Sequence, residues 1–570
     1  RQMCIRDRHN RLVKIMDTWI IQAKKLMRNQ GVTQKDLASA MGKSTRGAVS
    51  HYFTGRSQPT LKQIKSLAKY LGITLAELVD PENVNSNPFN IDTLETFSAV
   101  EFNTLKSISP IDGRYCKKTS DLSSIFSEFG LIKYRVLVEV RWLQAMSLNS
   151  EITEVPPLFD SSASNLLDSI AANFSVADAL HVKKFENTTN HDVKAVEYFL
   201  KEKISINHTL ASIREFVHFA CTSEDINNLS HALMLKDGRD ILLTQMRDLT
   251  ELIASLSYEN ALIPMLSRTH GQTASPTTLG KEMANYTDRL KRQIKLFDEV
   301  KIMGKFNGAV GNFNAHLSAY PDLNWGNIAK TFVESLGINY ASYTTQIEPH
   351  DYIAEYFHAL NRFNTILIDF CRDIWGYISL GYFRQKVVGT EVGSSVMPHK
   401  VNPIDFENSE ANVGISNALL GHLAGKLQVS RHQRDLSDSS ALRNIGVAIG
   451  HSQLAIYSAT QGLKRVEVDS EVMRRDLDNA WEVLAEAIQR AMRKAGHENP
   501  YEKLKTLTRG KVITKEIMVT LINDLDLPKD DKLRLLSLTP ADYVGLAPDL
   551  VRHLTQEHTD SGLGSHASEE

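Results

Sequence analysis

Long apolar runs are missing from this 570-residue chain. No stretch of eighteen uncharged apolar residues occurs. The most apolar candidate, Ile366 to Ile374, is interrupted by Asp369, Arg372 and Asp373, which excludes an ordinary membrane-spanning helix. Cysteine is scarce too: Cys4, Cys116, Cys221 and Cys371 stand far apart, with no Cys-x-x-Cys pair. Neither a disulfide framework nor a structural zinc site is expected, and a reducing cytoplasm fits best. Sixteen prolines and thirty glycines are few for this length, which favours long helices over many short strands. The first eight residues lack an initiator Met and the apolar core of a secretory leader, and no function is assigned to them.

What is present is ordinary for a soluble globular protein: 42% apolar and 23% charged residues. That excludes collagen-like, low-complexity and wholly disordered chains, and the length predicts more than one folding unit. The net charge of −2 averages two unlike parts. Residues 10–80 hold twelve Lys/Arg against four acids, a net +8, and the first nine residues add +2. The remaining 490 residues carry 50 basic and 62 acidic groups, a net −12. A small basic module precedes a large acidic body.

Apolar residues recur at helical spacing from Leu12 through Met27, where Gly31 ends the pattern. Thr33 is placed to cap a second helix from Gln34 to Met41, Gly42 makes the turn, and a third helix is predicted from near Ser44 to Phe53. A fourth runs from Leu61 until Gly72 stops it. Short helices with a Gly-containing turn between the second and third describe a helix-turn-helix domain over 10–82. Residues 83–97 read as a linker, since the stretch from Asp80 to Asn90 is rich in Asp, Asn and Pro. Beyond it, helical periodicity dominates, as in Leu242, Leu243, Met246, Leu249, Leu252, Ile253 and Leu256. The fold class expected is all-α, with long helices in a bundle. From about Leu554 the chain turns polar and is expected to be a mobile tail, 557–570 at its narrowest.

Four segments concentrate hydroxyls, amides, histidine and charge between apolar helices: 188–192 (TTNHD), 222–228 (TSEDINN), 267–272 (SRTHGQ) and 393–403 (GSSVMPHKVNP). Polar clusters this dense are costly to bury unless they bind something. In the last, Gly-Ser-Ser makes a pliable loop, Pro398 prevents continuous helix, and Lys400 and Asn402 supply a cation and an amide suited to a carboxylate.

Gly-Ser-Ser-x-Met-Pro-x-Lys-x-Asn-Pro resembles the signature loop of the fumarase/aspartase superfamily, whose members β-eliminate fumarate from a substituted succinate. His399, Asp112-Gly113-Arg114-Tyr115, 188–197 (TTNHDVKAVE) and 267–272 further resemble the adenylosuccinate lyase family, over roughly Val100 to Leu554. The resemblance implies a three-part lyase: an N-terminal domain at 98–219, a central helical bundle at 220–462 and a C-terminal domain at 463–556. It implies cleavage of adenylosuccinate and of the succinylated aminoimidazole-carboxamide ribotide (SAICAR), a homotetramer with shared active sites, and no metal or organic cofactor.

The resemblance also implies residue roles. Ser394 is the base that removes a Cβ proton, and its weakly acidic hydroxyl needs nearby positive charge and exclusion of solvent. His270 is the acid for the departing nitrogen, polarised by Glu407; an unperturbed imidazole, with pKa ~6.5, supplies a proton near neutrality. His191 supports orientation of the substrate. Lys400 and Asn402 stabilise carboxylate charge in the carbanion. Arg114, Tyr115, Asn190, Asp192, Thr222, Ser223, Gln346, Asn408, Arg434, Ser439 and Arg443 are the matching binding positions, the arginines offering forked donors that fit oxyanions.

Other readings stay open at this level. Ser395 competes with Ser394, and family position favours Ser394. Arg434 and Arg443 also suit salt bridges between subunits, and Glu224 and Asp225 suit a helix N-terminus. A transcriptional regulator sensing a purine intermediate predicts a damaged loop, yet Ser394, His270, Lys400 and Glu407 are all present. Argininosuccinate lyase or fumarase predicts a different residue at His399 and no TTNHDVKAVE.

The basic module resembles the Cro/repressor-type helix-turn-helix, with Gln34-Lys35-Asp36-Leu37-Ala38, Gly42, Val49-Ser50 and Phe53 in place. The resemblance implies DNA as a partner, with Ser44, Thr45, Arg46 and Ser50 facing bases and Gln34, Lys43 and Arg56 on phosphate. The bland alternatives are a solvated basic face or a protein contact.

Overall fold

The computed structural model describes residues 20, 23–42, 45–54, 59–73, 78, 104–158, 161–386, 397, 400–508 and 513–562. The chain divides into two compact units, Arg1–Ile108 and Ser109–Glu570. The all-α expectation holds. Among the described residues, strands pair only in three two-stranded sheets.

In the smaller unit, helix at 23–30 is followed by α1 (Gln34–Ala40), α2 (Arg46–Phe53) and α3 (Leu61–Tyr70). Local chemistry sets these boundaries. The Asp36 carboxylate accepts the Thr33 N–H at 2.8 Å, and the Thr33 hydroxyl accepts the Asp36 N–H at 3.4 Å, closing a capping box on α1. Gly42 makes the turn at φ +64°, a conformation only glycine adopts freely. Leu37, Val49 and Leu67 are wholly buried in a core belonging to this unit alone. Of the residues proposed for DNA, Gln34 and Ser50 are half-buried on α1 and α2, and Thr45 is exposed beside the start of α2. Arg46 opens α2. Lys43, Ser44 and Arg56 lie outside the described residues, as does most of the expected first helix.

In the larger unit a short helix at Ser120–Phe126 precedes α4 (Glu128–Ser147), and α5 (Val176–Thr189) and α6 (Asp192–Ile204) follow. Five long helices then form its frame: α7 (Ser223–Glu259), α8 (Leu279–Asp298), α9 (Asp351–Ser379), α10 (Ile404–Leu427) and, after α11 (Ser437–Leu442), α12 (Ile445–Lys464). They pack as a closed ring, α7 on α8, α8 on α9, α9 on α10, α10 on α12 and α12 back on α7. The stripe Leu235, Leu242, Met246, Leu249 and Ile253 on α7 is wholly buried, as its periodicity predicts. At 37 residues, α7 is about 55 Å long.

A hairpin of β1 (Pro264–Thr269) and β2 (Gln272–Thr278) joins α7 to α8. Its Leu266 belongs to a second core with Leu477 of α13 (Ser470–Asp478) and with Ile488, Met492 and Met518. The polar stretch after Leu554 does not begin as a loose tail, because α14 (Ala547–Gly562) runs through it. The stretch has no Pro, and its first glycine is Gly562, so nothing stops a helix started by the apolar residues Leu550 and Val551.

Candidate active site

The segment entering α7 is bent by two left-handed residues, His218 at φ +63° and Ala220 at φ +59°. His218 is held there by the wholly buried carboxylate of Glu139, 2.6 Å from Nδ1. Burial disfavours charge on this imidazole, but the Glu139 carboxylate outweighs it and raises the His218 pKa. The Asp225 carboxylate accepts the Thr222 N–H at 2.8 Å and thereby sets Thr222 and Ser223 at the helix N-terminus.

Around that N-terminus the predicted binding residues converge. The Arg434 guanidinium lies 2.9 Å from the Glu224 carboxylate, donates to Ser439 Oγ at 3.0 Å and to Gln346 Oε1 at 3.2 Å. Burial raises the Glu224 pKa, with Arg434 opposing. A parallel set surrounds Asp192: Arg135 at 2.7 Å and Arg443 at 3.4 Å, while Arg443 also reaches Glu128 at 2.5 Å. Burial works against charge on Asp192, yet the Arg135 guanidinium dominates and lowers its pKa. Between the two sets lies a cavity of about 20 Å³, bordered by Arg135, Asp192, Glu224, His231, Ser439 and Arg443. Burial pushes the His231 pKa down to about 3, so this ring is neutral, with Nδ1 2.9 Å from the Asn227 carbonyl.

Asn190 and His191 form the turn between α5 and α6. Asn190 is left-handed at φ +50°, and the His191 ring caps α6 by accepting the Lys194 N–H at 3.2 Å. Elsewhere, Asn408 donates to the Tyr115 hydroxyl at 3.3 Å and accepts from Ser458 at 2.8 Å. The Arg114 guanidinium lies 5.8 Å from the Tyr115 ring centre. Lys400 is exposed and Asn402 half-buried just before α10; Ser394, Ser395 and His399 lie outside the described residues.

His270 sits apart from all of these. It occupies the exposed tip of the β1–β2 hairpin, where His270 and Gly271 take φ +55° and +71°, a two-residue turn of type I′. The hairpin starts just after the C-terminal end of α7, about 55 Å from Ser223, and its six-residue strand spans only about 20 Å. One chain therefore does not bring His270 to Thr222 and Ser223. The expected His270–Glu407 pairing is likewise absent within the chain, because Glu407 instead accepts the Trp375 indole N–H at 3.2 Å. Among the described residues His270 makes no hydrogen bond, since its turn projects into solvent.

Arg434 and Arg443 do make salt bridges, and their partners are acids of the same chain. Sequence reasoning missed Arg135, Glu139 and His231. The signal for the first two was available: a charged pair at i, i+4 inside the otherwise apolar run 134–140 of α4.

Comparison with known proteins adds three matches to family models: one described as "Lyase" over residues 113–416, "Adenylosuccinate lyase C-terminal" over 430–544, and "Helix-turn-helix" over 24–78. The chain is 57% identical over 457 residues to the adenylosuccinate lyase of Haemophilus influenzae, covering 80% of this chain and 100% of that protein. It is 56% identical over 456 residues to that of Escherichia coli K12, with the same coverage. Solved structures share the fold: a 3-carboxy-cis,cis-muconate lactonizing enzyme from Pseudomonas putida (TM-score 0.62, 22% identity, 77% of this chain and 97% of that one). A fumarate lyase from Mesorhizobium sp. BNC1 gives TM-score 0.62 at 18% identity, with the same coverage.

Proposed function

Because the chain belongs to the adenylosuccinate lyase family, we propose that its larger unit cleaves adenylosuccinate to AMP and fumarate, and SAICAR likewise, with the residues named above in the following roles. Ser394 takes a proton from Cβ of the succinyl group. The electron pair left behind forms the carbon–carbon double bond of fumarate as the carbon–nitrogen bond breaks, and His270 protonates the departing nitrogen. Lys400 and Asn402 face the carboxylate that carries the excess charge before the bond breaks. Arg434 and Arg443, with Gln346, Ser439, Thr222 and Ser223, hold the phosphate and the remaining carboxylate.

One observation supports this most strongly: Gln346 is bonded to Arg434, 88 positions away, and with Ser439 they form one group at the N-terminus that carries Thr222 and Ser223. The length of α7 supports shared sites. If His270 and Thr222 act on one substrate, they come from different copies, as in a homotetramer. A cytoplasmic location suits the free Cys116, Cys221 and Cys371. No described helix is long and apolar enough to cross a membrane. The test follows adenylosuccinate loss optically in wild type and Ser394→Ala. Turnover in the first alone is expected, and an inactive wild-type tetramer would overturn the reading.

We further propose that the smaller unit binds DNA. Its own core and capped helices, the family match over 24–78 and the +8 charge of residues 10–80 favour this. Salt-dependent retention on DNA should disappear on deleting residues 1–85 while turnover persists; equal retention by the truncated chain would end the idea.

A further inference from the structure

Directly behind the Thr222–Ser223 turn lies an ion pair that none of the proposed roles uses. The Lys305 side chain is wholly buried, with Nζ 3.0 Å from Asp225 Oδ1 and 2.8 Å from the Gly308 carbonyl. The same carboxylate accepts the Asn307 and Gly308 N–H groups, each at 3.1 Å, besides that of Thr222. Asn228 grips the Lys305 backbone from both sides, accepting its N–H at 2.8 Å and donating to its carbonyl at 3.1 Å.

The far side of this loop meets the segment bearing Gln346. Asn307 donates to Thr344 Oγ1 at 2.8 Å, and the Ala309 carbonyl accepts from Gln346 Nε2 at 3.0 Å. At Gly311, φ +82°, an added Cβ would fall 2.4 Å from the Thr344 carbonyl oxygen, so the two backbones abut. Gln346 bonds Arg434, and Arg434 returns to Glu224, the neighbour of Asp225. The contacts close a circuit through Asp225, the 305–311 loop, Gln346, Arg434 and Glu224.

A buried ion pair is a poor device for stability, because removing two charges from water costs as much as, or more than, their attraction returns. Its distinctive contribution here is directional. It ties two substrate-facing segments, more than a hundred residues apart, to one rigid point. Resting on the lyase reading above, we infer that the Lys305–Asp225 pair aligns Thr222, Ser223 and Gln346 for the substrate, which makes Lys305 a positioning residue that acts without touching it.

The experiment compares Lys305→Met, Asp225→Asn and the double variant in the full-length enzyme, by initial rates on adenylosuccinate and by thermal melting. Lys305→Met should raise KM about 10- to 100-fold, the cost of losing well-aligned hydrogen bonds to the charged substrate, with kcat changed by less than about threefold. The double variant, with no unpaired charge left behind, should recover part of that KM. A merely structural role would lower the melting temperature and the active fraction and leave KM alone, which would overturn the inference. Should Lys305→Met fail to fold, Thr344→Val removes the side-chain bond from Asn307 to the Gln346 segment without stranding a charge; a raised KM supports the inference and an unchanged one overturns it. A wild type without turnover overturns the lyase reading and the inference together, whereas an active wild type with unmoved KM values in the variants sinks the inference alone.

Discussion

Arg434 and Glu224, 210 positions apart, meet at 2.9 Å, with 16% of the arginine and 2% of the glutamate side chain exposed. The guanidinium fork also serves Ser439 and Gln346, so its plane is set before any ligand arrives. An arginine fixed in this way is ready for an oxyanion, whereas a lysine ammonium lacks the planar fork that matches two oxygens at once.

Arg434→Lys should therefore weaken substrate binding while leaving the fold intact. Loss of charge-assisted hydrogen bonds worth about 1.5–3 kcal/mol corresponds to a KM about 10- to 100-fold higher. Initial-rate kinetics check this, and a wild-type KM in the variant would remove Arg434 from the binding set.

The His218–Glu139 pair predicts a pH dependence of stability. The His218 pKa is raised in the folded chain, so its contribution is complete below the unfolded value of ~6.5 and is lost as pH rises through the folded value. His218→Asn keeps the left-handed backbone, which Asn tolerates, but strands buried Glu139 at a cost of about 3–5 kcal/mol near pH 6. Thermal melts between pH 6 and 9 should show the gap between wild type and variant narrowing as pH rises. Parallel curves would contradict the assignment.

His270→Asn tests the acid without disturbing its turn, since Asn-Gly suits type I′ geometry. Stability should stay within about 0.5 kcal/mol of wild type, and kcat should fall about 10²- to 10⁴-fold. Hybrids refolded from His270→Asn and Ser394→Ala chains should regain activity if sites draw on two copies. Hybrids as inactive as their parents would mean that His270 and Ser394 act from the same chain.

Gly280 probes the junction that carries the hairpin. An added Cβ would lie 2.4 Å from the Ser257 carbonyl oxygen and 2.5 Å from Ala261 Cα, backbone atoms that cannot rotate away. Gly280→Ala should cost about 1–3 kcal/mol, read as a lower melting temperature. An unchanged melt would show that the start of α8 shifts freely.

Much of the architecture was legible because it is decided locally. Thr33 with Asp36, Gly42, and the stripe from Leu242 to Ile253 act over three to seven residues, within reach of a linear reading. The candidate site was legible as residue types, Thr222 within a dense polar segment and Gln346, Arg434 and Ser439 only through the family resemblance. The polar stretch after Leu554 misled because composition registers polarity, whereas a helix continues until something breaks it.

Partners were another matter. Alone, the sequence determined the helices, their caps, the family and the residues available for chemistry. Only the tertiary structure decided that Arg434 faces Glu224, that Arg135 and Arg443 share Asp192, that Glu407 meets Trp375 of its own chain, and that Lys305 lies buried on Asp225. Caps and periodicity are set by neighbours along the chain. The partner of a buried charge is set by which segments packing brings together, since an unpaired charge is too costly to leave away from water.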